Sequence, residues 1–409
     1  MKTIAIIGLG NRGGVYAKYL AKNEKVKIVS VCDILPESLR KAHDEYGVAQ
    51  ENLFLDEGEF FAKKRADVLI VSTLDKQHYE QTIKALSLGY DVLLEKPVSP
   101  VYEECKKIAE YANEVGRKVI VCHNLRYTPF YQRLKKLVVS GVIGDVVSME
   151  QAENVGFSHY TGSFVRGNWH RQADTSPIIL QKCCHDLDII YWILGKKCEK
   201  LSSSGSLAFY NRENAPNGSA ERCVDCKIDC PYNAYEFYLK YPGSMWVSYG
   251  FDKSPENIFR YCSEKDNDYG KCVFRMDNDV CDRQTVNMQF EDGVTASLFM
   301  HGFANGTHRI TRVYGTKGVL YGCLEENAWT LETYDGEKRE YDVRKEIKDG
   351  ASHSGGDAKL VEDVVDYLVD GTPVLGLSLI EDSIYSHKLA FAAEQSRLSG
   401  EWVNPGRTL

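Results

Sequence analysis

The chain has 409 residues, of which 26% are charged and 43% hydrophobic, with 33 glycines, 11 prolines and a formal charge of -8. This is ordinary globular composition; it excludes a collagen-like, low-complexity or disordered chain, and the acidic balance disfavours non-specific binding to nucleic acid. At roughly 150 residues per domain, the length predicts two or three domains, each able to bury a core without staples.

Met1-Lys2-Thr3 leads at once into the apolar run Ile4 to Ile7, which is too short for a signal peptide. No stretch approaches about 18 consecutive apolar residues, so no membrane span is expected and a cytoplasmic location follows. Residues 2–8 read as a buried strand. Gly8-Leu9-Gly10-Asn11-Arg12-Gly13 then forms a G-x-G-x-x-G, followed by a helical pattern with Val15, Tyr16, Tyr19 and Leu20 on one face. The strand Val26 to Cys32 ends in Asp33, about 20 residues after the last glycine.

Strand, glycine turn, helix, strand and acid in this order form a dinucleotide-binding fingerprint. Gly8 permits the tight turn, Gly10 lets a pyrophosphate approach the backbone, and Gly13 lets the helix pack on the strand. Asn11 and Arg12, inside the turn, are expected to contact the cofactor, and the N-terminus of the following helix offers N–H groups to the phosphates. Asp33 can accept hydrogen bonds from both ribose hydroxyls, which favours NAD without deciding against NADP.

The alternation continues. Residues 54–65 read as helix, 68–72 as strand, 78–88 as helix, 91–94 as strand, 100–115 as helix and 119–122 as strand. Repeats of this length imply a parallel sheet with helices on both faces, so the first domain is read as 1–122. Ligands bind beyond the carboxyl ends of such strands. Ser72-Thr73, Glu95-Lys96-Pro97 and His123-Asn124 fall there.

The second half changes character. Strand-like runs occur at 146–153, 245–251, 285–290, 295–303, 309–314 and 319–321. Glu291-Asp292-Gly293 and Gly315-Thr316-Lys317-Gly318 read as hairpin turns. A helix begins near Asp357, and another runs over 378–398. Residues 123–409 are therefore read as a second α/β domain on a large, mostly antiparallel sheet, with a polar insertion near 202–235.

These motifs, in this order, resemble the Gfo/Idh/MocA family of glucose–fructose oxidoreductase and inositol dehydrogenase. The resemblance rests on the fingerprint, Ser72-Thr73, Glu95-Lys96-Pro97, His123-Asn124 with Arg126-Tyr127, His185 with Asp188, and Gly315 to Gly318, and it reaches Ala392 to Gly400. It implies an NAD(P)-binding Rossmann domain, a substrate and oligomer domain, and a homodimer or homotetramer. It also implies that Lys96 contacts the reacting oxygen and that His78 lies near the nicotinamide end.

Hydride transfer from a secondary alcohol needs a fixed cofactor, a proton acceptor and a group that stabilises the developing oxyanion. Lys96, oriented by Glu95, suits the last role. His185, opening a helix that ends near Leu194, suits the second, because imidazole accepts a proton near neutrality. Gln181 stands where many members of the family carry an aspartate, and Lys182 lies beside it, which departs from the family's Lys–Asp–His arrangement. Substrate contacts are expected from Arg126, Tyr127, Arg166, Trp169 and His170 as well as His185. His159 and Tyr160 are weaker candidates.

Cys223, Cys226 and Cys230 lie close together in the polar insertion, apart from the ten scattered cysteines. Soft thiolates at this spacing suit a structural zinc, with Cys262 or Cys272 as a fourth ligand. An iron–sulfur cluster, free thiols or a disulfide are the alternatives.

The leading expectation is an NAD(P)-dependent oxidoreductase acting on a secondary hydroxyl of a small-molecule sugar or cyclitol. Two others stand beside it. One is a redox-assisted glycoside-cleaving enzyme, which oxidises, eliminates and then reduces with no net NADH. The other is a non-catalytic NAD or sugar sensor.

Overall fold

A computed structural model describes residues 1–246, 251–347 and 353–408. The first 121 residues build a parallel sheet in the order β3-β2-β1-β4-β5-β6. Its strands are β1 (Lys2–Ile7), β2 (Val26–Cys32), β3 (Leu53–Phe54), β4 (Val68–Val71), β5 (Asp91–Leu94) and β6 (Val119–Val121). Central strands such as Val68–Val71 are apolar and buried throughout, as a sheet covered on both faces requires. The strand order reverses between β1 and β4, and this is where a crevice opens at the carboxyl ends.

The long helix expected over 54–65 does not form. Only Glu57–Phe60 is helical, begun by the Asp56 carboxylate accepting the Glu59 N–H at 2.9 Å. The Arg65 guanidinium donates to the carbonyls of Phe60 and Glu59 at 2.9 and 2.7 Å. Those carbonyls would otherwise have accepted from a further helical turn.

The second sheet has eight strands in the order β14-β13-β12-β11-β7-β10-β9-β8. These are β7 (Val146–Gly156), β8 (Cys198–Ser206), β9 (Arg283–Phe290), β10 (Thr295–Ala304), β11 (His308–Gly315), β12 (Gly318–Cys323), β13 (Ala328–Thr333) and β14 (Lys338–Asp342). All pairs are antiparallel except β10 with β7. β8 reaches Ser206, so the insertion between β8 and β9 begins later than 202 and extends to 282. It carries a small core of its own around Phe237, Tyr238, Met245, Ile258 and Cys262. In the strand expected at 245–251, residues 247–250 lie outside the described residues; Met245 and Trp246 are in no strand.

The chain end returns to the first sheet. The helix Gly356–Asp370 places Leu360, Val361, Val364 and Val365 in one cluster with Ile4, Ile6, Ile28 and Ile70. Val121 N–H donates to the Ser378 carbonyl at 2.8 Å, beside a bridge from Ile120 to Leu379. The helix Ile380–Ser399 then crosses the junction, with Ile380 packed on the first sheet and Leu389 to Ala393 in the core of the second. Among the described residues, no helix is long and apolar enough to cross a membrane.

Candidate active site

The glycine turn meets the demands of a dinucleotide. Gly8 sits at φ +84°, and a side chain there would strike Ser72 and Thr73. A Cβ at Gly13 would collide with the Gly8 carbonyl, so the helix Asn11–Leu20 packs as close to β1 as a glycine allows. A Cβ at Gly10 would meet nothing, which leaves that face open for a pyrophosphate. The helix has no side-chain cap and no acid in its first turn, so its N–H groups and dipole favour an anion. The Asp33 carboxylate accepts the backbone N–H groups of Leu9 and Leu35 at 2.6 and 2.8 Å. Each of its oxygens keeps a lone pair for a ribose hydroxyl. These residues fit NAD.

Next to the turn lies a cavity of about 310 Å³. Asn11, Arg12, Ser72, Thr73, His78, Glu95, Lys96 and Asn124 line its first-sheet side. Several are held by one buried network. Glu95 accepts from Arg12 Nε at 2.7 Å, from the Lys96 N–H at 2.9 Å and from the Tyr16 hydroxyl. Arg12 also pairs with Asp357 at 2.7 Å, and Asp357 accepts from Asn124 at 2.9 Å. Burial works against the charge on Glu95, but Arg12, Lys96 and these hydrogen bonds hold it below the usual carboxylate range. Arg12 and Asn124 are thus anchored to the helix Gly356–Asp370 as well as facing the cavity. His78 lies with Nδ1 2.8 Å from the Pro97 carbonyl and Nε2 3.2 Å from the Thr73 carbonyl, and burial lowers its pKa, so its single N–H serves one of the two.

Lys96 reaches across the junction. Its Nζ donates to the Gln181 carbonyl at 2.9 Å, which leaves two N–H groups for another acceptor. His185, in the helix Cys184–Leu194, lines the same cavity, and its buried Nδ1 has no hydrogen-bond partner. Burial pushes the His185 imidazole well below its ordinary value, and Lys96, His123 and Arg309 add to this. The ring is therefore uncharged at neutral pH, with its lone pair unprotonated and facing the cavity as a weakened base.

Of the other expected substrate contacts, Trp169 and the weaker candidate His159 line the cavity, while Tyr160 is buried in the core of the second domain. Arg126 is buried and grips Asp188 through two bonds of 2.7 Å, so its fork is already filled. Tyr127 is fully buried in the first-sheet core. Arg166 is buried against the insertion, donating to the carbonyls of Lys271 and Tyr232 at 2.8 Å each. His170 is tied to the Gly167 carbonyl at 2.6 Å and faces Asp277. All four brace the walls instead of facing the ligand space.

His159 and Lys182, both singled out in the sequence, form part of the far wall, and Phe164, Trp246, Arg309 and His353, which no motif indicated, complete it. Arg309 lies in β11, where His308 to Val313 alternate and every second side chain is buried. A charged residue at an inward position of such a strand was a usable signal.

Cys223, Cys226, Cys230 and Cys272 surround a small cavity of about 20 Å³, all as free thiols. Among the described residues, no group of three or more His, Cys, Asp or Glu is arranged to hold a metal ion. The zinc expectation therefore has no support in the geometry. The Cys223 thiol lies 3.5 Å from the Arg166 guanidinium and 3.8 Å from the Lys271 carbonyl, and these contacts take up its polar capacity.

Comparison with known proteins agrees with this architecture. The family model described as "Oxidoreductase family, NAD-binding Rossmann fold" (GFO_IDH_MocA) matches residues 2–123. The one described as "Oxidoreductase family, C-terminal alpha/beta domain" matches residues 135–404. A Bacillus subtilis protein with the provisional designation oxidoreductase YteT is 24% identical over 89% of this chain and 88% of its own. Inositol 2-dehydrogenase/D-chiro-inositol 3-dehydrogenase of Lactiplantibacillus plantarum is 27% identical, over 47% of this chain and 52% of its own. The chain thus spans about half the length of that relative. Among solved structures, scyllo-inositol dehydrogenase from Lactobacillus casei with bound NAD(H) and scyllo-inositol shares the fold. Its TM-score is 0.69 at 20% identity, over 99% of both chains.

Proposed function

The chain belongs to the Gfo/Idh/MocA oxidoreductase family, and on that premise we propose that it oxidises a secondary hydroxyl of a sugar or cyclitol, with Lys96 and His185 touching the reacting group. The observation that carries the reading is the meeting of Lys96 and His185 in one cavity beside an NAD-fitting glycine turn. NAD, when bound along Gly8 to Gly13 with its ribose at Asp33, supplies the hydride acceptor.

The chain's own residues do the rest. The neutral His185 ring takes the hydroxyl proton. As the carbinol C–H bond gives up its hydride, that oxygen becomes a carbonyl through a partly anionic state. The two N–H groups of Lys96 not given to Gln181 stabilise that charge. Trp169, Trp246 and Phe164 offer aromatic faces to the C–H face of a ring. The anionic Asp33 disfavours a 2′-phosphate, which supports NAD over NADP. The names of the inositol dehydrogenases among the relatives support a polyol of this size.

The test is turnover of Lys96→Met with wild type as reference. Loss of one oxyanion donor should cost about 10²–10³ in kcat, with NAD affinity close to wild type. Full turnover by Lys96→Met would overturn the assignment. NADH and organic product are followed together. Product without net NADH would point to redox-assisted glycoside cleavage instead.

A further inference from the structure

The substrate end of the cavity is walled by cations whose counter-charges lie behind them. Lys182 and Arg309 line the space, while Glu153 and Asp186 are fully buried and do not. The Arg309 guanidinium is ion-paired with Glu153 through its Nη2 and donates its Nε–H to Asp186 at 3.1 Å. Among the described residues its Nη1 has no protein acceptor. The Lys182 ammonium lies 3.8 Å from Glu153, too far for a hydrogen bond. Two directed sets of N–H donors therefore face the same space without an acceptor. The lining carboxylates, Asp75 and Glu95, belong to the first-sheet side, where Glu95 is taken by Arg12 and Lys96.

We propose that the substrate carries a carboxylate, bound by Lys182 and Arg309 while its carbinol reaches Lys96 and His185. This rests on the dehydrogenase reading of the same cavity, and it narrows the substrate class to an acid sugar or cyclitol acid. A guanidinium edge beside an ammonium is a strong receptor for a carboxylate, because charge-assisted hydrogen bonds in a dry site are the strong ones. The field in the cavity agrees. After burial, the strongest influences on both His159 and His185 are cationic neighbours. Burial pushes Asp186 up to about 6, against the pull of Arg309.

The NAD-loaded protein is titrated by calorimetry with matched pairs that differ by a carboxylate, glucuronate against glucose and gluconate against glucitol. NADH formation is followed in parallel. Glucuronate is also compared with glucose 6-phosphate. The acid member of at least one pair should bind at least about tenfold more tightly than its neutral partner, the worth of one charge-assisted contact. Lys182→Gln should remove that preference chiefly through KM, and Lys182→Arg should keep it. Unchanged NAD affinity shows that the variants are folded, and Arg309→Lys serves if Lys182→Gln does not fold.

Neutral members binding as well as acids in every pair, or no binding in any pair, would overturn the carboxylate subsite. So would an acid preference untouched in Lys182→Gln, or glucose 6-phosphate bound in place of glucuronate. Failure of the underlying reading looks different. Acid binding without any oxidation would remove the dehydrogenase and leave the subsite, and NADH from neutral sugars alone would do the reverse.

Discussion

At the scale of single residues, the chemistry depends on imidazoles kept uncharged. Burial is the first cause that lowers His123, His159, His185 and His387, the last to about 3. Cations stand close to each of them, Arg126 beside His123 and Lys182 beside His159. A base whose folded pKa is depressed stays competent below the ordinary imidazole value of about 6.5. The kcat/KM for hydroxyl oxidation should therefore hold level from about pH 8 down to about 6.5, with its acid limb lower still. A limb at or above about 6.5 would contradict the account. The same shift has a stability consequence of fixed sign. Below about pH 6.5 the unfolded chain takes up protons that the folded histidines refuse, so the melting temperature should fall as pH drops from about 7 to 5.

At the scale of elements, the insertion between β8 and β9 lends Tyr210, Val273, Phe274 and Cys281 to the main core, and one buried polar side chain ties its backbone down beside them. Arg166 is fully buried and holds the carbonyls of Lys271 and Tyr232. Replacing it by Met leaves two inward carbonyls without donors, a cost of about 1–3 kcal/mol for each buried group left unsatisfied. Arg166→Met should be cut within residues 207–282 several-fold faster in limited proteolysis, with NAD affinity retained. An unchanged cleavage pattern would show that the insertion is held elsewhere. Elements set by local pattern were legible in the sequence: the glycine turn, Val26–Cys32 ending at Asp33, and the β9 and β10 hairpin through Glu291-Asp292-Gly293. The helix expected at 54–65 was not, because the group that stops it is the Arg65 side chain folding back on Glu59 and Phe60. Arg126 and Arg166 read as substrate contacts from residue type and chain position, the one after the strand ending at Cys122 and the other just before the His185 helix. What decided their place was Asp188 for the one and the carbonyls of Lys271 and Tyr232 for the other, partners distant along the chain.

At the scale of the molecule, the cavity exists because the chain returns. Lys96 comes from the end of β5, Gln181 to His185 from the second domain's helix region, Arg309 from β11, and His353 from just before the helix that packs on the first sheet. Asp357 of that helix ties Arg12 to Asn124, so the C-terminal segment braces the cofactor turn. Burying Leu360, Val361, Val364 and Val365 on the first sheet is worth roughly 1.5–3 kcal/mol for each side chain fully buried, an upper estimate. The first-sheet half of the cavity followed from strand-end motifs. The cationic half did not, since it arises from residues far apart in sequence. The central claim is that a hydride leaves a carbinol carbon in this cavity for the nicotinamide. Its most direct measurement is a single turnover with the sugar acid or polyol found active, deuterated at the oxidised carbon, followed by analysis of the cofactor. Deuterium carried to the nicotinamide ring, and carried about 10²–10³-fold more slowly in Lys96→Met, is the result predicted. Product formed by the wild type with no deuterium on the nicotinamide would contradict it.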